Sequence, residues 1–291
     1  MGVREFTLSF AGLRVGFSSE VPVKVPSEFV PFLTEGGELT DSYCAEVIRE
    51  PLGSCGELLF KRDDISAYRE ADGTLLIYSS MEIHGLCPGC KIRDNGQHTL
   101  YVTEELARSM GQGIRLGGII NGEEMLLRHR AMVLHCSVVN HGGQGILFSG
   151  PSGIGKSTQG ALWEKAFGDH VINGDRGILR LCGDTVYAGG SPWCGSSGIY
   201  SMENIPVKAI VLLRQGKENV ILPADPKIAF REIYSQCIVH AWDRCYVDRL
   251  CDLIWEVLDR VPVYVLTCLP EISAALLTEN TVFRREKGCN L

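Results

Sequence analysis

The stretch Gly150-Pro-Ser-Gly-Ile-Gly-Lys-Ser157 constrains the fold more tightly than any other feature of the chain. It fits the pattern G-x-x-x-x-G-K-[ST] at Gly150, Gly155, Lys156 and Ser157. Such a loop works only where a strand runs into it and a helix leaves it. The strand aims the loop, and the helix N-terminus adds partial positive charge at the same spot. Both flanks are present, "GILFS" before the loop and "TQGALWEKAF" after it. The glycines, Gly153 among them, let backbone N–H groups converge on phosphate oxygens with no Cβ in the way. On this reading Gly150, Ser152, Gly153, Ile154, Gly155, Lys156, Ser157 and Thr158 form a nucleotide-phosphate site, a P-loop of the Walker A type. Lys156 bridges the β- and γ-phosphates, and Ser157 takes a Mg²⁺ ion. A second metal anchor is expected at the end of a neighbouring strand. Asp175, after "HVIN", is the candidate, on a strand end expected to lie beside the one that feeds the loop.

The rest of the pattern predicts an α/β nucleotide-binding core behind a β-rich front domain, with the boundary near residue 128. In residues 1–128, Ala11-Gly12 and Ala71-Asp72-Gly73 mark hairpins, and Asp94-Asn95-Gly96 leads into another strand. A short helix is predicted from Thr103. In residues 129–291, "AMVLHCSVV" and "GILFS" are dense apolar runs around the turn "NHGGQ", as buried strands are. "GILRL" and "TVYAG" make a hairpin, and "VKAIVLL" is a central strand. Asp225-Pro226 caps a helix. A further helix begins near Asp243 and turns Val247, Leu250, Ile254, Val257 and Leu258 to one face. "VYVLTC" and "EISAALLTE" supply a last strand and helix.

The net charge of -7 argues against nonspecific nucleic-acid or anionic-membrane partners, so phosphates must be held by a local device. No run reaches 18 apolar residues and the start lacks a signal-peptide core. The 12 cysteines then read as reduced thiols of a cytoplasmic protein. Cys87-Pro-Gly-Cys90 is a lone C-x-x-C. Zinc would need two more ligands, for which His84 and His98 are near, but plain thiols are the simpler reading. A GTPase should carry N-K-x-D, and the chain has none. A transporter ATPase should carry its signature after the loop, whereas "HGGQG" precedes it, and "VKAIVLL" ends in Leu-Leu-Arg rather than in acid.

The segment from "VLH" at His135 through "GILFSGPSGIGKS" to "HVINGDR" resembles the HPr kinase/phosphorylase family, whose relatives share a nucleotide fold with phosphoenolpyruvate carboxykinase. Fourteen residues lie between His135 and Gly150, as in the family layout. The resemblance covers roughly residues 130–215. It implies ATP-dependent phosphoryl transfer to a hydroxyl, with ATP and Mg²⁺ as cofactors. His135, Lys156 and Asp175 would be catalytic, and Ser157 and Asp175 would hold the metal. The acceptor would be a Ser or Thr of a peptide or protein, as in kinases that tailor lasso-peptide precursors, or a small molecule. Homo-oligomeric assembly is open on the same ground. The family has a second acid beside the one matched by Asp175, and here that position is Gly174. Asp175 doing both duties, or a base supplied by the substrate or by His135, stay open. So does a nucleotide-binding regulator that no longer transfers phosphate. The downstream signature of the phosphorylase reaction has no equivalent, which points away from HPr itself. Arg176 reads as a phosphate contact or an exposed strand start. The loop Ser191–Tyr200 reads as substrate-facing or as a plain connector.

Overall fold

The computed structural model describes residues 3–53, 56–63, 65–79, 85–109, 120–192, 198–199 and 201–283. The chain separates into two compact units, residues 1–128 with 240–244, and residues 129–239 with 245–291. The architecture is mixed α/β. No helix among the described residues is long and apolar enough to cross a membrane.

The first unit is built on a nine-stranded sheet. Its strands are β1 (Val3–Phe10), β2 (Leu13–Val23), β3 (Leu33–Thr34), β4 (Asp41–Val47), β5 (Glu57–Arg62), β6 (Ile65–Arg69), β7 (Leu75–Ser79), β8 (Gly89–Ile92) and β9 (Gln97–Val102). Their spatial order is β3-β1-β2-β4-β9-β8-β7-β6-β5. The hairpins read from the turn residues are present: β1 pairs antiparallel with β2 across Ala11-Gly12, and β6 with β7 across the 70–74 turn. Helix α1 (Glu104–Ser109) begins after Thr103, whose hydroxyl oxygen accepts the Leu106 N–H at 3.1 Å. Helix α2 (Gly122–Arg128) ends the first stretch. A polar cluster is buried in this unit. His240 Nδ1 lies 3.0 Å from Glu124 and Nε2 lies 3.1 Å from Glu123.

The second unit opens with β10 (Ala131–His141) and β11 (Gln144–Ser149), antiparallel across a glycine turn. Helix α3 (Lys156–Phe167) follows the glycine loop, and then come β12 (His170–Asn173), β13 (Arg176–Cys182) and β14 (Thr185–Gly189). Next are β15 (Asn204–Gln215), β16 (Val220–Pro223), α4 (Pro226–Gln236), α5 (Arg244–Leu258), β17 (Val263–Cys268) and α6 (Ile272–Phe283). β15 pairs antiparallel with β14 through its first residues, then parallel with β11 and β17. Since β14 pairs with β13, β13 with β10, and β10 with β11, these five strands close into a ring. Val139, Ile146, Phe148, Trp163, Val211, Leu213, Leu266 and Ala275 form the core beside it, and α3 packs there against α6.

Two expectations change. "HVIN" ends as a strand at Asn173 rather than Asp175, because the Asn173 side chain turns the chain there. This strand lies beside β10, not beside the strand that feeds the loop. β11 already pairs with β10 on one edge and β15 on the other, which leaves no edge for β12. On α5, Tyr246 and Leu253 are buried, whereas Val247 and Leu258 are only half-buried, a small rotation of the predicted face.

Candidate functional site

Three segments distant in sequence meet within the second unit: β10 around His135, the turn between β12 and β13, and the end of α4. The antiparallel register sets His135 opposite Arg176 and Val133 opposite Ile178. Directly opposed residues share a face, and so do residues two apart. Val133, His135 and Arg176 therefore point to one side of the sheet. An isolated bridge between Leu134 and Cys237 brings residues 235–238 alongside this face. The two surfaces enclose a cleft of about 300 Å³, with Asp175 in its lining.

Asp175 owes its position to Asn173. The Asn173 Oδ1 accepts the backbone N–H of Asp175 at 3.0 Å and that of Arg176 at 2.6 Å. This is the local bond by which Asn makes a turn of its own backbone. Cys136 N–H donates to the Asp175 carbonyl at 3.2 Å, tying the turn to β10. The Asp175 carboxylate then lies 3.1 Å from His135 Nε2, and Gln236 Oε1 lies 3.2 Å from His135 Nδ1. Gln236 Nε2 donates in turn to the Ser235 hydroxyl at 3.2 Å. Each ring nitrogen of His135 thus has an oxygen close by, and the hydrogen bond with Gln236 orients the ring.

The glycine loop runs from the end of β11 into α3. Gly155, at the helix N-cap, has φ of 117°, a conformation that a side chain disfavours. Ser152, Gly153, Ser157 and Thr158 are exposed, Ile154 and Gly155 are half-buried, and Ile154 packs on the core. Lys156 is buried and folds back, so that Nζ donates to the carbonyls of Gly150 at 2.9 Å and Pro151 at 3.1 Å. Burial pulls the Lys156 ammonium below its ordinary pKa, and the Asp175 carboxylate and Cys136 oppose that pull. Asp175 is therefore within electrostatic reach of the loop lysine as well as 3.1 Å from His135 Nε2. Burial pushes the thiols of Cys136 and Cys237 up to about 12, so neither is a nucleophile at neutral pH.

Other predicted residues fall elsewhere. Cys90 is buried in the first unit, where its thiol donates to the Ile120 carbonyl at 3.4 Å. Both His98 nitrogens are engaged, one with Asp41 Oδ1 at 2.9 Å and one with Arg93 N–H at 3.2 Å. Among the described residues no group of three His, Cys, Asp or Glu side chains is placed to hold a metal ion. His84 and most of the loop 191–200 lie outside the described residues. The sequence reading had missed Asn173, Gln236 and the wall 235–238. For Asn173 the signal was there, since Asn-Gly is a turn pair. Gln236 sits 101 residues from His135 and gave no signal.

No family model matches the chain, and no curated protein matches it. Among solved structures the chain is similar to the HPr(Ser) kinase/phosphatase from Coxiella burnetii, at 13% identity and a TM-score of 0.30. The similarity covers 53% of this chain and 90% of that one. It is too slight to carry a fold or an activity across.

Proposed function

We propose that this protein is an ATP-dependent kinase that passes the γ-phosphoryl group to a hydroxyl in an HPr-kinase-like manner. The observation that supports it best is the placement of one carboxylate. Asp175 lines the cleft, contacts His135, and lies within electrostatic reach of Lys156 at the head of the glycine loop. A phosphoryl transfer needs a cation at the donor phosphates and a base at the acceptor, and the chemistry is mostly positioning and charge neutralisation.

On this reading the loop is a P-loop. Its backbone N–H groups and the N-terminus of α3 receive the β- and γ-phosphates. Their oxygens take over the Lys156 ammonium from the carbonyls of Gly150 and Pro151 that now hold it. The exposed Ser157 hydroxyl and the Asp175 carboxylate are hard oxygen donors that would hold Mg²⁺, and the ion would supply neutralisation of the phosphate charge. Mg²⁺ usually keeps water and phosphate ligands and needs only one or two from protein, so a larger acidic cluster is not required. Asp175 takes the proton of the acceptor hydroxyl, and His135 and Gln236 hold it in line. With Gly174 in place of a second acid, one carboxylate serves both duties.

Gly174 also favours a second reading, a nucleotide-dependent regulator without transfer. Labelled ATP offered with Ser and Thr peptides and small hydroxyl compounds separates the two. The kinase reading expects label on an acceptor, and losses of at least about 10²-fold in Lys156→Ala and Asp175→Asn. ATP that binds without label ever moving establishes the regulator instead.

A further inference from the structure

The face that carries His135 narrows the choice of acceptor. Arg176 stands directly across from His135 on that face and lines the same cleft. Arg176 is exposed, and among the described residues no carboxylate pairs with its guanidinium. By contrast Arg69, Arg128, Arg130, Arg214 and Arg260 each reach an acid. The neighbouring Asp175 is turned to His135 instead. On a chain of net charge -7, an arginine left without an acid in a cleft is a local feature, not a sample of a basic surface. No residue of 150–158 lines the cleft. A volume of about 300 Å³ is at the small end for ligand sites, too little for a folded partner.

We propose that this cleft is the acceptor site and that it selects a small hydroxyl compound carrying a carboxylate or a phosphate, bound by Arg176. The acceptor role rests on the kinase reading; the anion site rests on the cleft itself. A guanidinium presents paired donors that match both anions. With the anion there, the hydroxyl lies against Asp175. Its oxygen bonds to the γ-phosphorus as the bond from that phosphorus to the β-phosphate oxygen breaks. ADP leaves with the electron pair, and the hydroxyl proton passes to the Asp175 carboxylate.

Calorimetric titration of the full chain tests the site, using glycerate, glycerol 3-phosphate, glycerol and an uncharged serine tripeptide amide. The Lys156→Ala background removes anion binding at the glycine loop. At least one of the two anions should bind about tenfold or more tighter than either neutral compound, the worth of one charge-assisted contact. The preferred anion tells carboxylate from phosphate. Arg176→Gln should abolish the advantage, and Arg176→Lys should keep part of it. Neutral compounds binding as well as the anions, or an advantage that survives Arg176→Gln, overturns the anion site. A parallel assay follows label from ATP with Lys156 intact. Arg176-dependent binding with no label transferred to the bound anion overturns the acceptor role; the kinase reading falls only if no peptide or hydroxyl compound takes label either. ATP turnover that needs Asp175, without anion binding, overturns the site and leaves the kinase reading standing.

Discussion

Asn173 shows how much of a site can hang on one amide. Its Oδ1 accepts two backbone N–H groups, and both belong to the residues that face the cleft. Asn173→Ala takes the acceptor from two part-buried N–H groups, at a cost of about 1 kcal/mol each. Because a shift of about 1 Å in a reacting group can cost about 10²-fold, kcat should fall by that order while ATP affinity holds. Urea denaturation and labelled-ATP kinetics on the same preparation check both halves. Gln236→Ala should act more mildly, since His135 keeps its Asp175 contact and loses only the oxygen at Nδ1. Its effect belongs on kcat, with ATP affinity unchanged in a direct titration. These residues also mark what the sequence could show. Lys156 and Asp175 stood out because each sits beside a glycine pattern or an expected strand end, whereas His135, inside an apolar strand, stood out only through the resemblance. Gln236 lies on an ordinary amphipathic helix, and only the Leu134–Cys237 bridge gives it a role.

Helix α4 carries the wall of the cleft, so its stability bears on the site. Asp225 at its N-cap accepts the N–H groups of Lys227 at 2.9 Å and Ile228 at 3.3 Å. Asp225→Ala should cost about 1 kcal/mol of stability, read as a lower urea midpoint. In α3, Gly160 lets the helix lie close on the sheet. A Cβ there would meet Val171 Cγ2 at 2.8 Å and Ser137 Oγ at 3.3 Å. Alanine gains up to about 1 kcal/mol of helix propensity, but overpacking costs about 1–3 kcal/mol. Gly160→Ala should therefore lower stability, and adding Val171→Ala should relieve part of that loss; a thermal melt of single and double variants decides it. The strands of this unit were legible because apolar runs between turn residues have few other solutions. Which strand lies beside which was not. β12 is four residues long, and its neighbour is decided by the edges that β11 has already filled.

The two units differ in how they should respond to pH. In the first, burial disfavours a charged His240, but hydrogen bonds and charge from Glu123 and Glu124 outweigh it and raise its pKa from 6.5 to about 9. A raised histidine stabilises the folded state fully below its unfolded pKa and loses that contribution as pH rises through its folded value. Stability from this cluster is therefore present below pH 6.5 and fades toward about 9 and above. The magnitude is on the order of a few kcal/mol. Urea midpoints at about pH 6 and 9.5 should differ less in His240→Gln than in the unaltered chain; equal differences would refute the assignment. Sequence reading had no access to this cluster, since His240 stands more than a hundred residues from both glutamates. The five-stranded ring has a consequence for synthesis. All five strands, the glycine loop and the His135–Asp175 pair lie before Gln215, whereas residues 235–238 come later. A nascent chain therefore carries every strand of the ring and the glycine loop before it carries the cleft's second wall. On the proposed reading, translation makes the residues that hold ATP before it makes those that complete the choice of what to phosphorylate.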